Sequence, residues 1–398
     1  MTMKRVIIAA MALMLAASTV TASDRGGRRR ATKSPEYHVA AYIWPSCHDD
    51  PVGRRVLWGE GDGEWEIIKR GTPRFDGHYQ PKQPLWGYEH DDDPRVMERW
   101  IDAATDHGIN VFVFDWYWFD GGPFLEGCLN DGFLKARNRD KMQFYVMWAN
   151  HTVARNYWNC HRYGDDTSTL WRGAVDEENF RKVVDRVIKQ YFSQPNYFKI
   201  DGCPVFAIFS MDELLASFGG SVERTHEAIE YFRSKVREAG FPDLCLQMMN
   251  NDTRDVAAER LEGIGVDCTT QYGWGTARRE DYLRWAKEGY EATERLGALI
   301  DKPHFPSVSI GWDDTPRFPA KGKADVVHYN VTPQAFAMAL QRAKEYCDAH
   351  PEQPRIITIY AFNEWVEGAY LLPDMRYGFG YLEAVRDVLS GKYDRYRK

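Results

Sequence analysis

The feature of this sequence that most restricts its fold is a repeated alternation of short apolar runs with longer segments of helical periodicity. Each run has the length and composition of a buried β-strand, and the segment after it carries apolar residues at the spacing of an amphipathic helix. The eight runs are Val39–Trp44, Val111–Phe114, Phe144–Trp148, Val205–Phe209, Leu244–Met249, Val266–Gln271, Ser307–Ile310 and Ile356–Phe362.

Helical segments separate these runs, and several of them open with residues that favour a helix N-terminus. Asp93-Pro94 and Thr332-Pro333 each place a capping side chain before a proline in the first turn. The predicted helices are Pro94–His107, Asp176–Tyr191, Ser221–Ala239, Arg254–Leu261, Glu280–Leu296, Thr332–Ala349 and Tyr381–Leu389.

Strands that alternate with helices pair in parallel through right-handed crossovers. Eight such strands predict an α/β protein built as a single (β/α)8 TIM-type barrel, with long loops at its C-terminal face. An open, doubly wound sheet is the alternative. The barrel is favoured because no Gly-x-Gly-x-x-Gly pattern follows the first run, and because the loops after the runs are long and rich in tryptophan and proline.

The first residues have the pattern of a secretory signal peptide. Lys4 and Arg5 precede the apolar run Val6–Ala17, and small residues follow it. The run is too short to span a bilayer. We therefore expect a signal peptide over residues 1–22, a flexible basic linker over 23–35, and one catalytic barrel domain over 36–398. The expected product is an exported protein, periplasmic, cell-surface or secreted, without a membrane span.

Composition narrows the class of partner. The formal net charge of −7 argues against nucleic-acid binding, which needs clustered positive charge. The chain carries 14 Trp, 22 Tyr and 20 Phe, and aromatic rings exposed in a cleft stack on the apolar faces of sugars. Its seven cysteines are an odd number without a Cys-x-x-Cys pair, so at least one is unpaired or bonds between chains. Their spread fits buried core residues, with one disulfide as the alternative.

In a (β/α)8 barrel, the residues that bind and react come from the loops after the strands. Aromatic, acidic and amide side chains recur at those positions here, which is typical of a carbohydrate cleft. Each of them also has a structural interpretation, as a core tryptophan, a turn cap or an ion pair. The candidate substrate-binding residues are Trp44, Glu64, His78, Tyr79, Asp115, Trp118, Trp148, Asn150, Tyr272, Trp312, Asp313, Arg317 and Asn363.

Glu364 and Glu367 are the strongest candidates for catalysis. If the chain turns helically after the last strand, positions i and i+3 share a face, with Cβ atoms roughly 5 to 6 Å apart. Retaining glycosidases hold their two carboxyl groups roughly 5 to 5.5 Å apart. The alternative is that both are first-turn helix residues, favoured there by the helix dipole.

The segment Asn363–Tyr370, followed by Pro373-Asp374 and Arg376–Gly378, resembles the C-terminal signature of glycoside hydrolase family 99 and its WbsX-like relatives. Further motifs agree in the same order and extend the resemblance over residues 37–388. They are Glu64-Trp65, Gly77–Pro81, Tyr117–Phe119, Trp148–Asn150 and Gly311–Arg317.

The resemblance implies a (β/α)8 barrel and a retaining enzyme that is endo-acting on α-linked polysaccharide and needs neither metal nor cofactor. In such an enzyme Glu364 would deprotonate the sugar's own 2-hydroxyl, which displaces the leaving group and gives a 1,2-anhydro sugar. Glu367 would protonate the departing oxygen and then activate water. α-Mannans and α-L-rhamnosides both have the required axial 2-hydroxyl. We expect the pKa of Glu367 to be raised by the charge on Glu364.

The chain departs from its relatives at two positions. His151 follows Asn150 where WbsX-like proteins usually carry a carboxylate, and Leu372 stands where many have glutamate. These changes leave open which sugar is bound. They also leave open a non-catalytic glycan-binding barrel. A third alternative is a glycosyltransferase-like role in surface polysaccharide synthesis, against which the export signal argues, because nucleotide sugars are cytoplasmic.

Two further features of the sequence are candidates for binding a cation or an acidic glycan. The cluster Glu89–Asp93 is rich in oxygen ligands for calcium, but it lacks the EF-hand spacing and is typical of a helix-capping run. An acidic or sulfated glycan would require a local basic patch, which Arg155, Arg162 and Arg317 would form if they converged. The predicted partner is a polysaccharide or oligosaccharide, and the sequence does not indicate the oligomeric state.

Overall fold

Eight parallel strands alternate with helices and close into a barrel, as the sequence predicted. The computed structural model describes residues 37–275, 280–319 and 327–396; the expected signal peptide and linker lie outside them. The strands are β1 (His38–Ile43), β2 (Val111–Phe119), β3 (Gln143–Trp148), β4 (Cys203–Ile208), β5 (Cys245–Met249), β6 (Cys268–Thr270), β7 (His304–Phe305 and Ser307–Ser309) and β8 (Ile356–Tyr360).

The barrel closes through β7, which Pro306 divides into two pieces. The first piece pairs with β6 and the second with β8, while β8 pairs in turn with β1. Proline has no N–H to donate to a neighbouring strand. Its carbonyl still accepts from the backbone N–H of Thr358 at 3.0 Å, so the ladder continues across the break.

β2 continues to Phe119, five residues beyond the run that ended at Phe114 in the sequence prediction. The extension is stabilised by a hairpin, in which the short strand Gly122–Phe124 pairs antiparallel with Tyr117–Phe119. The hairpin partner is too short to be detected from its apolar pattern. Through this hairpin the aromatic end of β2, Tyr117–Phe119, extends beyond the part of β2 that pairs with β3.

The seven predicted helices are all present. They are α1 (Pro94–Asp106), α2 (Glu177–Val187), α3 (Val222–Glu238), α4 (Asp255–Ile264), α5 (Tyr282–Gly297), α6 (Pro333–Ala349) and α7 (Gly380–Leu389). Asp93 and Thr332 cap α1 and α6 through side-chain oxygens that accept from the first turn.

Shorter elements fill the connections. Between β2 and β3 the chain forms helical turns at Cys128–Gly132, Phe133–Lys135 and Arg139–Lys141. Other short helices and turns are Pro51–Val56, Trp65–Ile68, Arg155–Trp158, Cys160–Tyr163, Ile188–Phe192, Met211–Ser217, Thr315–Arg317, Trp365–Glu367 and Tyr393–Tyr396. The short strand pairs are Val153–Ala154 with Thr169–Trp171, Asn363–Glu364 with Ala369–Tyr370, and Lys199–Ile200 with the start of β4.

The barrel interior is filled by side chains, including hydrogen-bonded polar ones. Tyr145 donates to Gln247 at 3.0 Å, and the hydroxyls of Thr270 and Thr358 lie 3.0 Å apart. A buried polar group costs little free energy when it is paired in this way. Because the interior is occupied, space for a ligand lies at the mouth of the barrel.

All seven cysteines lie in the described part of the chain and carry free thiols, six of them buried. The expected core role therefore describes six of them, and Cys203 is partly exposed. Of the helices in these residues, none combines the length and apolarity needed to cross a lipid bilayer.

Candidate active site

A cavity of about 400 Å³ opens at the C-terminal ends of the barrel strands. Aromatic rings form much of its wall, and three of its four charged groups are carboxyl groups. Seven of the residues that the sequence singled out line it: Trp44, Asp115, Tyr272, Trp312, Arg317, Glu364 and Glu367. We call it the central cavity.

The two glutamates follow β8 in a tight hairpin. Asn363–Glu364 pairs antiparallel with Ala369–Tyr370, and the 3-10 turn Trp365–Glu367 joins them. Gly368 ends the turn in the left-handed region at φ 66°, where a Cβ would also lie 2.9 Å from the Cβ of Asp313. This turn directs both carboxyl groups into the central cavity.

Arg317 lies between the two glutamates. One guanidinium nitrogen forms an ion pair with Oε1 of Glu367, and the other lies 3.7 Å from Oε1 of Glu364. The hydroxyl of Tyr360 donates to the other carboxylate oxygen of Glu367. Glu367 therefore accepts a hydrogen bond through each of its two carboxylate oxygens.

Three buried carboxyl groups, those of Glu367, Glu64 and Glu364, act on this arginine through their negative charges. Burial raises the pKa of Glu364 well above its ordinary value, and the negative charges of Glu367 and Glu64 raise it further against the effect of Arg317. Burial likewise raises the pKa of Asp115 and of Glu64. One arginine is thus shared among three buried carboxyl groups.

The surroundings of the two glutamates differ. Glu367 has the ion pair with Arg317 and the hydrogen bond from Tyr360. Glu364 has only the more distant end of the guanidinium. Burial and the neighbouring negative charges therefore outweigh the effect of Arg317 at Glu364, and its pKa is raised.

Asp115 contributes an acceptor to the floor of the cavity. Its Oδ2 accepts from the hydroxyl of Tyr272 at 2.6 Å, while its Oδ1 is buried without a hydrogen-bond partner. A buried acceptor without a partner is costly and is well placed to receive a ligand hydroxyl.

Asp313 anchors the long first loop rather than facing the central cavity. Its Oδ2 lies 3.0 Å from Nε2 of His78, 2.7 Å from Nε2 of Gln80 and 3.1 Å from Nζ of Lys82. Burial opposes ionisation of Asp313, but the charge of Lys82 and the His78 hydrogen bond outweigh it and lower the pKa. The first loop consequently folds over the barrel mouth.

A second cavity, of about 310 Å³, lies beside the central one and shares Trp312 with it. Its walls come from the loops after β1, β7 and β8, and they include His78, Tyr79 and Asp313. A third cavity, of about 250 Å³, shares Phe209 and Tyr272 with the central one. Its walls come from the loops after β4, β5 and β6, so the three cavities follow one another across the barrel mouth.

Five predicted binding residues do not line any of these three cavities. Asn363 donates to the carbonyl of Trp44 at 2.7 Å and accepts from its N–H at 2.8 Å. Asn150 makes the same pair of bonds with the backbone of Ser210, at 2.9 and 2.7 Å. Each amide is satisfied by the backbone of another loop, so both act as structural links between strand ends. We call them the asparagine links.

The other three are held inside the fold. Glu64 accepts from the indole N–H of Trp44 and, at 3.0 Å, from the hydroxyl of Ser46. Trp148 is fully buried within β3, and Trp118 donates to Asn179 at 3.3 Å. Glu64 nevertheless influences the site, because its charge acts on Glu364.

The structure also adds residues that sequence reasoning missed. Tyr157 lines the central cavity, with the guanidinium of Arg317 4.9 Å from its ring centroid. Tyr360 had been read only as part of a strand, although its hydroxyl contacts Glu367. His151 also lines the cavity, and burial lowers its pKa to about 4, so it is neutral. The remaining wall residues are Tyr117, Met147, Ala149, Thr152, Ala154, Trp158 and Phe209.

The acidic run before α1 has a structural role. Asp93 caps the helix, and Asp91 is buried with an oxygen 2.6 Å from Nδ1 of His48. Within the described ranges, no group of three or more histidine, cysteine or acidic side chains is arranged to hold a metal ion.

Comparison with known families shows which family this chain belongs to. The sequence model of the family described as glycosyltransferase WbsX matches residues 39–385. The chain belongs to the WbsX family. Two WbsX-related proteins of Xanthomonas campestris pv. campestris, both named "Uncharacterized protein WxcX", are 28% identical to it, over 366 residues in strain ATCC 33913 and 378 in strain B100. These matches cover 88% and 91% of this chain but 49% and 51% of the relatives, so it spans about half of their length.

Solved structures show the same barrel for this WbsX family member. A glycoside hydrolase-like protein aligns with TM-score 0.56 and 16% identity, covering 89% of this chain and 94% of that one. The GH99 endo-alpha-mannosidase from Bacteroides thetaiotaomicron aligns with TM-score 0.52 and 14% identity, covering 92% and 99%. At these identities the likeness establishes the fold, a glycoside hydrolase-like barrel, and the predicted fold class and family resemblance are confirmed.

Proposed function

We propose that this protein is a retaining glycoside hydrolase that cleaves an α-linked polysaccharide at internal bonds. The observation that carries the proposal is the placement of Glu364 and Glu367 in one buried cavity, on either side of Arg317. General acid–base catalysis requires one protonated and one ionised group within reach of the same bond. One proton held between these two glutamates would supply both.

The proposed roles follow the family pattern. Glu364 takes the proton of the 2-hydroxyl, which attacks carbon 1 and expels the leaving group, and Glu367 protonates the leaving oxygen. Glu367 then deprotonates the water that attacks carbon 1 of the 1,2-anhydro sugar, the bond from carbon 1 to O2 breaks, and Glu364 returns its proton to O2, which restores the starting configuration and both carboxyl groups. These roles require Glu364 to be ionised and Glu367 to be protonated when the substrate is bound. The raised pKa of Glu364 then makes it a stronger base than an ordinary carboxylate.

The proposed substrate has an axial 2-hydroxyl trans to its leaving group, as in an α-mannan or an α-L-rhamnoside. Cleavage at internal bonds is supported by the second and third cavities, which continue the central cavity on opposite sides. A polymer lying across the mouth would occupy all three. Export of the protein, expected from the N-terminal pattern, is part of the same proposal.

The family's name raises glycosyl transfer as a competing activity. Transfer from a nucleotide sugar would require cations for the diphosphate. Among the residues that line the central cavity, the one permanent cation is Arg317, and the glutamates already occupy it. Hydrolysis is therefore the activity that the site supports better.

A non-catalytic glycan-binding barrel is the second candidate, and one observation favours it. His151 lines the cavity where relatives carry a carboxylate, and its neutral ring does not replace that charge. Tryptophan variants that abolish binding, together with no product from wild type, would support this candidate.

A product screen tests the proposal. The mature protein, Glu364→Gln and Glu367→Gln would each be incubated with α-mannans and with rhamnose-containing, uronic-acid and sulfated polysaccharides. We expect oligosaccharides from wild type, released first in the α-anomeric form by NMR, and none from either variant. Products that persist in both variants would show that these glutamates are not catalytic.

The pH dependence provides a separate prediction. Glu364 acts as a base only when it is ionised, so kcat/KM should fall as the pH drops through its raised pKa. The acidic limb should therefore lie clearly above the ordinary glutamate value of about 4.3. The residual activity of Glu364→Gln should lack this limb. A limb at the ordinary value in wild type would contradict the assignment.

A further inference from the structure

The second cavity carries a cation that has no counter-ion among the described residues. Arg376 is exposed at its wall, with its guanidinium 5.4 Å from the ring centroid of Tyr79 and 5.3 Å from that of Tyr377. None of the acidic side chains that the structure describes lies within 4.0 Å of its guanidinium nitrogens. The two rings hold the cation while leaving its N–H groups available.

The nearest acid in the sequence, Asp374, does not neutralise this arginine, because its oxygens have other partners. It is buried and accepts from the hydroxyl of Tyr370 at 2.7 Å, and from the backbone N–H groups of Arg376 at 3.1 Å and Tyr377 at 2.5 Å. These bonds shape the turn on which Arg376 stands.

The same turn is tied to the first loop. The backbone N–H of Met375 donates to the carbonyl of Gln83 at 2.9 Å, and that of Leu85 donates to the carbonyl of Pro373 at 2.8 Å. The backbone just before Arg376 is therefore held in place by two hydrogen bonds to the first loop. A cation placed in advance loses less entropy when it binds a ligand.

The other charges at this cavity are already balanced or lie at its edge. Lys82 pairs with Asp313 at 3.1 Å. Burial lowers the pKa of His328 to about 4, so its ring is neutral. Asp76 is an exposed acid on the wall and forms no ion pair with Arg376. Arg376 is thus the cation of this cavity that remains available.

The third cavity shows the opposite pattern. Its two arginines, Arg254 and Arg260, form ion pairs with Asp252 at 2.5 Å and Asp212 at 3.0 Å.

The basic patch that Arg155, Arg162 and Arg317 would form if they converged is not present in the described residues. Arg317 is occupied by the glutamates, while Arg155 and Arg162 contact the ring of Tyr163 outside the three cavities.

We propose that the second cavity is a subsite for a sugar unit bearing an anionic substituent, a carboxylate or a sulfate, which Arg376 binds. This proposal rests on the proposed function, since it takes the central cavity as the place of cleavage. A guanidinium offers two parallel N–H groups that match the oxygens of either anion. The faces of Tyr79 and Tyr377 would flank the ring of the sugar. The natural polymer would then be acidic on one side of the cleaved bond.

Equilibrium binding tests this without any turnover. Methyl glycosides of mannuronic, glucuronic and galacturonic acid, 6-sulfated mannose, and their neutral parent sugars would be titrated by ligand-observed NMR. The proteins would be wild type, Arg376→Gln, Glu367→Gln and Arg95→Gln. Arg95 is an exposed arginine outside the three cavities, so its variant controls for net charge.

We expect at least one acidic sugar to bind wild type about tenfold more tightly than its neutral parent, as one charge-assisted contact would give. Arg376→Gln should lose this difference, while the other two variants keep it. The preferred acid distinguishes carboxylate from sulfate. If no acidic sugar binds better than its parent, or if the preference survives Arg376→Gln, the proposal is wrong. An acid preference without any hydrolysis would leave this subsite standing and refute only the proposed function.

Discussion

Glu367→Gln is expected to lower kcat/KM on the natural glycan by about 10³-fold, within the range that general acid catalysis contributes. The substitution preserves the shape of the side chain and removes the proton that the leaving oxygen needs. On an aryl glycoside with an acidic phenol as leaving group, that proton matters less, and the loss should shrink to about tenfold. Parallel measurements of kcat/KM on both substrates for wild type and variant check this result.

The second step provides an internal control. Glu367 also activates the water that opens the anhydro sugar, and azide attacks without such help. Added azide should therefore restore kcat of Glu367→Gln on the aryl glycoside and give a glycosyl azide of retained configuration.

A matched variant is available in Glu66→Gln. Glu66 is a buried glutamate outside the central cavity that accepts from the backbone N–H of Glu60 at 2.7 Å. Its substitution should leave the kinetics unchanged. If the smaller loss on the aryl glycoside occurs in Glu364→Gln instead, the two glutamates have exchanged roles.

Arg317→Met should destabilise the protein by about 3 to 5 kcal/mol at pH 8, the cost of breaking a buried ion pair by removing one partner. Arg317 is the counter-charge for Glu367, and its positive charge also acts on Glu364 and Glu64. Methionine replaces only the aliphatic stem of the arginine and leaves these carboxyl groups without compensation. Urea unfolding followed by tryptophan fluorescence measures the change.

The same variant should recover stability as the pH falls. The pKa values of Glu364, Glu64 and Asp115 are raised in the folded protein. A raised folded pKa gives stability that is present at low pH and lost as the pH rises through it. The destabilisation should therefore be smaller at pH 5 than at pH 8.

Two control variants accompany this prediction. Arg317→Lys keeps the charge and should lose less stability, although a single ammonium cannot contact both glutamates as the guanidinium fork does. Arg137→Met removes an exposed partner of Glu98 and should have no measurable effect. A loss for Arg317→Met that does not change with pH would show that packing, and not charge, gives Arg317 its importance.

The barrel could be predicted from the sequence because strand and helix periodicities are local properties of the chain. The same reasoning located Glu364, Glu367 and Arg317, since residues just beyond strand ends meet at one face of a barrel. What the pattern does not encode is the direction of each side chain. Asn150 and Asn363 have the chemistry to bind sugar hydroxyls, yet both bind the backbone of another loop.

The surroundings of Glu364 and Glu367 were harder to predict for a related reason. The pKa of Glu364 depends on burial and on groups distant in sequence, namely Glu64, Arg317 and Asp115. Tyr360, which contacts Glu367, lies at the end of a strand whose apolar pattern gives no sign of a function. Neighbours of this kind are set by tertiary structure, so the sequence could place both glutamates at the barrel mouth but could not indicate which groups surround each of them.

Asp313 has a consequence for how proteins of this family could be modified. Its carboxylate holds His78, Gln80 and Lys82 of the first loop, while its backbone N–H donates to the carbonyl of Glu367 at 2.7 Å. Asp313 thus lies between the first loop, which would select the sugar, and the hairpin with Glu364 and Glu367, which would break the bond. A designer who keeps these three attachment points could exchange the tip of the loop between homologues and transfer preference for one polymer without rebuilding the reaction centre.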